Sequence, residues 1–128
     1  MSKTYNITYY KDIDKAYIAM FAQDFKYIYG FKPTKSQIFN YIGYTLILKK
    51  YRPPKRPMQD IRRHLTMISV ALNKEAYLNF QKLHNKLKEL GLDYSVVHIN
   101  TMVVITACDM MHRQVLKMKR KKIPSIQN

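Results

Sequence analysis

Cysteine, glycine and acid are all scarce in this chain. Its 128 residues include one cysteine, three glycines, no tryptophan, and eight Asp or Glu against 23 Lys or Arg. A lone Cys108 permits no disulfide within the chain, which predicts an intracellular, cytoplasmic protein (host-cell cytoplasm if viral). With only Gly30, Gly43 and Gly91, there is no glycine-rich loop to cradle a nucleotide phosphate. His64, His84, His98 and His112 are scattered without metal-ligand spacing, so neither a metal nor another cofactor is expected. Asp109 and His112 stand one helical turn apart, a spacing more typical of a surface ion pair than of a catalytic site. A tyrosine-nucleophile nicking reaction would need a histidine cluster that the sequence does not supply. The reading is a non-enzyme with no small-molecule ligand. No apolar run reaches eighteen residues, and no signal-peptide core opens the chain, so no membrane partner is expected.

What is present is positive charge and a usable core. Hydrophobic residues make up 47% of the chain, with eleven Tyr and five Phe, enough to bury a core in one or two small domains. The formal charge of +15 implies an anionic partner, nucleic acid first. The charge is concentrated. "KKYRPPKRPMQDIRRH", residues 49–64, holds seven Lys or Arg with Asp60 as its one acid, and "RQVLKMKRKK", residues 113–122, holds six and no acid.

The chain also repeats a pattern. In "TMISVALNKEAY", Ile68, Val70 and Leu72 alternate with Met67, Ser69 and Ala71, as in a strand with one buried face. Asn73 then reads as a cap for a helix from Lys74 to Leu90, with Ala76, Phe80, Leu83, Leu87 and Leu90 on its apolar side. Gly91 stops it, a longer turn "LDYSVVHIN" follows, and Asn100 or Thr101 caps a second apolar helix from Met102 to about Val115. The first half has the same order. An alternating stretch from Asn6 to Lys11 leads to a helix capped by Asp12 or Asp14, carrying Ile18, Phe21, Phe25 and Ile28 and stopped by Gly30. Thr34 or Ser36 then starts a helix carrying Ile38, Ile42, Leu46 and Ile47.

Strand, helix, turn, helix, stated twice, resembles the ribbon-helix-helix family of DNA-binding proteins as a tandem pair. "MISVALNKEAY" matches the family's strand and capped first helix, and "KPTKSQIF" its polar turn into the second. "YSVVHINTM" departs from the pattern by lacking a basic residue before the cap. The resemblance implies a mainly α fold with a short two-stranded antiparallel β ribbon, the two motifs pairing into a pseudo-dimeric or dimeric core. The expected organisation is a first repeat at 1–51, a basic Pro-rich linker at 52–64, a second repeat at 65–116 and a mobile basic C-terminal tail at 117–128. Extended, that linker spans on the order of 40 Å, ample to bring the strands together.

By alternation, Asn6, Thr8 and Tyr10 face outward from the first strand and Met67, Ser69 and Ala71 from the second. A ribbon fits the major groove, where Asn suits adenine, a hydroxyl serves several bases, and Met or Ala can meet a thymine methyl. These six are the expected base contacts. The expected phosphate contacts are Lys32, Lys35, Ser36, Asn100 and Thr101 around the second helices, Arg62 and Arg63 in the linker, and Lys119, Arg120, Lys121 and Lys122 in the tail. Because the two outward faces differ, an intramolecular ribbon should read two unequal half-sites. The expected partner is double-stranded DNA, with self-association on adjacent sites. The expected role is a sequence-specific transcription regulator, a repressor by type, of a virus or plasmid, since the resemblance extends to tandem regulators of archaeal filamentous viruses. Relaxosome accessory proteins of conjugative plasmids are the first alternative. An RNA-binding basic protein is the second, although no RNP-like motif or GXXG loop is present.

Overall fold

A computed structural model describes residues 5–45, 66–91 and 95–122. Two strands, β1 (Tyr5–Tyr10) and β2 (Met67–Leu72), pair antiparallel as a two-stranded sheet. A 3-10 turn (Lys11–Ile13) and a π turn (Asp14–Ile18) lead from β1 into α1 (Ala19–Tyr29), followed by α2 (Lys35–Thr45). After β2 come α3 (Lys74–Glu89) and α4 (Val96–Lys122). The described chain is thus mainly helical with a single antiparallel ribbon.

The halves interlock across the core. α1 packs on α4 of the other half, α2 packs on α3, and α4 lies against β1. One face of the ribbon supplies Ile7, Tyr9, Val70 and Leu72 to the core, as alternation predicts. Phe21 and Phe25 enter from α1, Ile38 and Ile42 from α2, Phe80, Leu83 and Leu87 from α3, and Val103, Val104 and Cys108 from α4. Leu46 and Ile47 lie outside the described residues. Burial pushes the Cys108 thiol well above its ordinary range, with the charges of Asp109 and Asp24 adding to the effect. Where α2 crosses α3, Gly43 sits directly over Ala76: a Cβ there would come within 2.7 Å of the Ala76 Cβ. No described helix is long and apolar enough to cross a membrane.

Both stop glycines adopt the left-handed conformation, Gly30 at φ 85° and Gly91 at φ 80°, where a side chain would be strained. Helix starts differ more from expectation. Neither Asp12 nor Asp14 caps α1; Tyr10 and Ile13 precede the two entry turns with no side-chain cap. Asp14 instead accepts the Tyr9 hydroxyl at 2.6 Å and the Lys35 ammonium at 2.7 Å. Of the two candidates for α2, Thr34 is the cap. Its hydroxyl accepts the Gln37 amide and Gln37 Oε1 accepts the Thr34 amide, a reciprocal capping box. Asn73 does precede α3, but its side chain turns away to the Tyr44 hydroxyl and caps nothing. Leu90 falls just past α3 and is exposed rather than part of its apolar stripe.

The largest correction concerns α4. It starts at Val96, not Met102, with the Ser95 hydroxyl accepting the His98 amide at 3.2 Å. The two turns, Gly30 to Lys35 and Gly91 to Val96, are therefore equal in length. The displacement that carries Gly30 onto Gly91 also carries Thr34 onto Ser95 and Thr8 onto Ser69. α4 then continues to Lys122, so residues 117–122, expected as the start of a mobile tail, are its last turns.

Candidate nucleic-acid interface

The ribbon register pairs Asn6 with Ala71, Thr8 with Ser69, and Tyr10 with Met67. Those six residues share the face turned away from the core. Asn6, Met67, Ser69 and Ala71 are exposed, and Thr8 and Tyr10 partly so. At its centre the Thr8 and Ser69 hydroxyls lie 2.9 Å apart in a hydrogen bond. The displacement of 61 residues that carries Gly30 onto Gly91 also carries Thr8 onto Ser69, the pair at the centre of the register. Neither strand carries a charged residue, so the face can offer only neutral donors, acceptors and apolar surface. Its ends differ: an amide beside a methyl at one, a phenol beside a thioether at the other.

Polar side chains of the second helix of each half hold the ribbon along its two outer edges. In α4, Asn100 donates from Nδ2 to the Thr8 carbonyl at 2.9 Å, and its Oδ1 lies 2.7 Å from His84 Nε2. Since Oδ1 is an acceptor, the neutral His84 ring must carry its proton on Nε2. Burial lowers the His84 pKa, the bond to Asn100 opposing this and the Lys88 charge adding to it. Thr101 Oγ1 donates to the Val97 carbonyl and accepts the Tyr10 amide at 3.0 Å. In α2, Ser36 donates to the Ala71 carbonyl at 2.7 Å, and Asn40 Oδ1 accepts the Asn73 amide at 2.8 Å.

These contacts revise the expected phosphate ligands. Asn100 and Thr101 lie within α4 rather than at its N-terminus, have no exposed surface to offer a phosphate, and satisfy their buried polar atoms with β1, His84 and the Val97 carbonyl. Ser36 stands in the first turn of α2 but directs its hydroxyl to the ribbon. Lys35 is at the same N-terminus, yet its ammonium is tied to Asp14 and faces the Tyr9 ring at 6.0 Å. Lys32 is exposed in the turn before α2. Arg62 and Arg63 lie outside the described residues. Lys119, Arg120 and Lys121 are exposed near the far end of α4, Lys119 over the Tyr27 ring at 5.1 Å. Lys122 is the last residue of α4; its side chain lies outside the described ones. Along the helix axis Lys119 is about 27 Å from Thr101, where α4 holds the ribbon. His112 pairs with the buried Asp24 of α1 at 3.1 Å rather than with Asp109. Among the described residues no three His, Cys, Asp or Glu side chains group as a metal site would require.

Sequence reasoning missed Ser95, Asn40 and the His84–Asn100 pair. Ser95 had a readable signal, since it sits where the fixed repeat displacement puts the counterpart of Thr34. The Asn40 and Asn100 contacts join residues far apart in sequence and had none. Comparison with protein-family models, with curated proteins and with solved structures gives no match to this chain.

Proposed function

We propose that the chain is a sequence-specific double-stranded DNA-binding protein of the ribbon-helix-helix type, acting as a transcription regulator. The observation that carries this reading is the register. Asn6, Thr8, Tyr10, Met67, Ser69 and Ala71 stand as three cross-strand pairs on one uncharged face of a two-stranded ribbon, on a body with a net charge of +15. Such a ribbon fits the major groove, and the surrounding lysines supply sequence-independent attraction to phosphate. The two motifs act as their own dimer, since the strands pair within one chain. Their unequal outward faces favour an asymmetric element over a perfect palindrome, with Asn6 and Ala71 suited to an adenine and its thymine methyl.

The experiment is selection of a preferred site from random duplexes, followed by titration of Asn6→Ala and Thr8→Ala. Each substitution should cost about 1–3 kcal/mol on the selected site and leave random DNA almost unaffected. Failure to select any duplex, or stronger competition by structured RNA than by duplex DNA, refutes the proposal.

A further inference from the structure

The C-terminal half of α4 carries charge that the ribbon cannot use. Arg113, Lys117, Arg120 and Lys121 are all exposed, and none has an ion-pair partner among the described residues. At about 100° per residue these four fall within an arc of roughly 100° on the helix, a continuous stripe about 12 Å long. No acid follows Asp109 in the sequence.

The helical phase fixes which way the stripe points. Asn100 and Thr101, which hold β1, project from the same side of α4 as Met111 and Val115, which are buried in the core. The centre of the stripe lies roughly 160° around the helix from that side, and about 18–30 Å along the axis from Thr101. A duplex seated on the ribbon is therefore on the other side of α4. We infer that the stripe is a second, sequence-independent site for the phosphate backbone of another DNA segment, so that one chain bridges two duplexes. This inference rests on the DNA-binding reading of the ribbon.

Charge complementarity selects the occupant. A DNA strand presents about one phosphate charge per 3.4 Å of axis, so the length of the stripe matches about three or four of them. An anionic membrane suits the site less. A surface-binding helix needs a free apolar face to insert, whereas the apolar side of α4, with Met111 and Val115, is already packed in the protein.

The test uses the full-length chain and short random-sequence duplexes in molar excess, with stoichiometry read by sedimentation velocity at low salt. Wild type should bind two duplexes per chain and bring donor- and acceptor-labelled duplexes into energy transfer. The variant Arg113→Gln/Lys117→Gln/Arg120→Gln/Lys121→Gln should bind one, lose the transfer signal, and keep wild-type thermal stability because all four residues are exposed. The log–log salt dependence of the lost step should be about −3 to −4 for four contacts. One duplex per wild-type chain, or two per variant chain, overturns the bridging inference and leaves the ribbon reading standing. No duplex bound by wild type refutes the ribbon reading itself. Binding to phosphatidylserine vesicles that depends on the stripe, with duplex stoichiometry unchanged, reassigns the stripe to a membrane and overturns the inference.

Discussion

Replacing Asn100 with Ala separates a structural asparagine from a DNA ligand. Asn100 has no exposed surface and bonds two groups at once, the Thr8 carbonyl in β1 and His84 Nε2 in α3. The truncated side chain leaves both without a partner. Each unsatisfied buried group costs about 1–3 kcal/mol, so the loss should total about 2–6 kcal/mol. That is a large share of the roughly 5–15 kcal/mol that holds a small domain together. In a chain of this size it corresponds to a fall of about 10–25 °C in Tm. Thermal unfolding followed by circular dichroism measures it, with Asn6→Ala as the control, since Asn6 is exposed and should melt with wild type. Below its Tm, Asn100→Ala should keep the wild-type salt dependence of duplex binding, because no phosphate contact has been removed. A Tm within about 2 °C of wild type, together with weakened duplex binding, would refute the reasoning and return Asn100 to the interface.

His84 should make the same network sensitive to pH. Its pKa is lowered on folding from an ordinary value of 6.5, so the unfolded chain binds the proton more tightly. The stabilisation is therefore present above about pH 6.5 and is lost as pH falls towards the folded pKa; urea midpoints at several pH values should show this, and His84→Gln should flatten the difference. Gly43→Ala improves helix propensity by about 1 kcal/mol but forces α2 and α3 apart, at about 1–3 kcal/mol for overpacking. Its new Cβ would meet Ala76 Cβ at 2.7 Å and Cα at 2.9 Å, so the urea midpoint should fall; a rise would mean that the crossing is looser than described. Thr34→Ala removes one half of the capping box and should cost about 1 kcal/mol, with faster amide exchange at Gln37 as its local signature.

How much of this was legible in advance depends on the range of the interaction. Alternation set β2 at Met67–Leu72 and sorted both strands into inner and outer faces, because burial on one face imposes a period of two regardless of what the strand pairs with. Gly30 and Gly91 marked helix ends for an equally local reason, the left-handed backbone that glycine tolerates. Polar residues misled where their partners were remote. Asn100 and Thr101 have the chemistry of caps, and local rules place such residues at helix starts. Only the folded chain brings the backbone of β1 against α4, where Asn100 and Thr101 satisfy it from inside the helix and so let α4 begin at Ser95–Val96. The sequence alone determined the order of strands and helices and most of their apolar faces, since both follow from the period of neighbouring residues, but not where α4 begins and ends. The tertiary structure alone decided the register of the ribbon, the partners of the buried polar groups and the direction of the cationic stripe. Each of these depends on atoms that approach one another only after distant segments have packed.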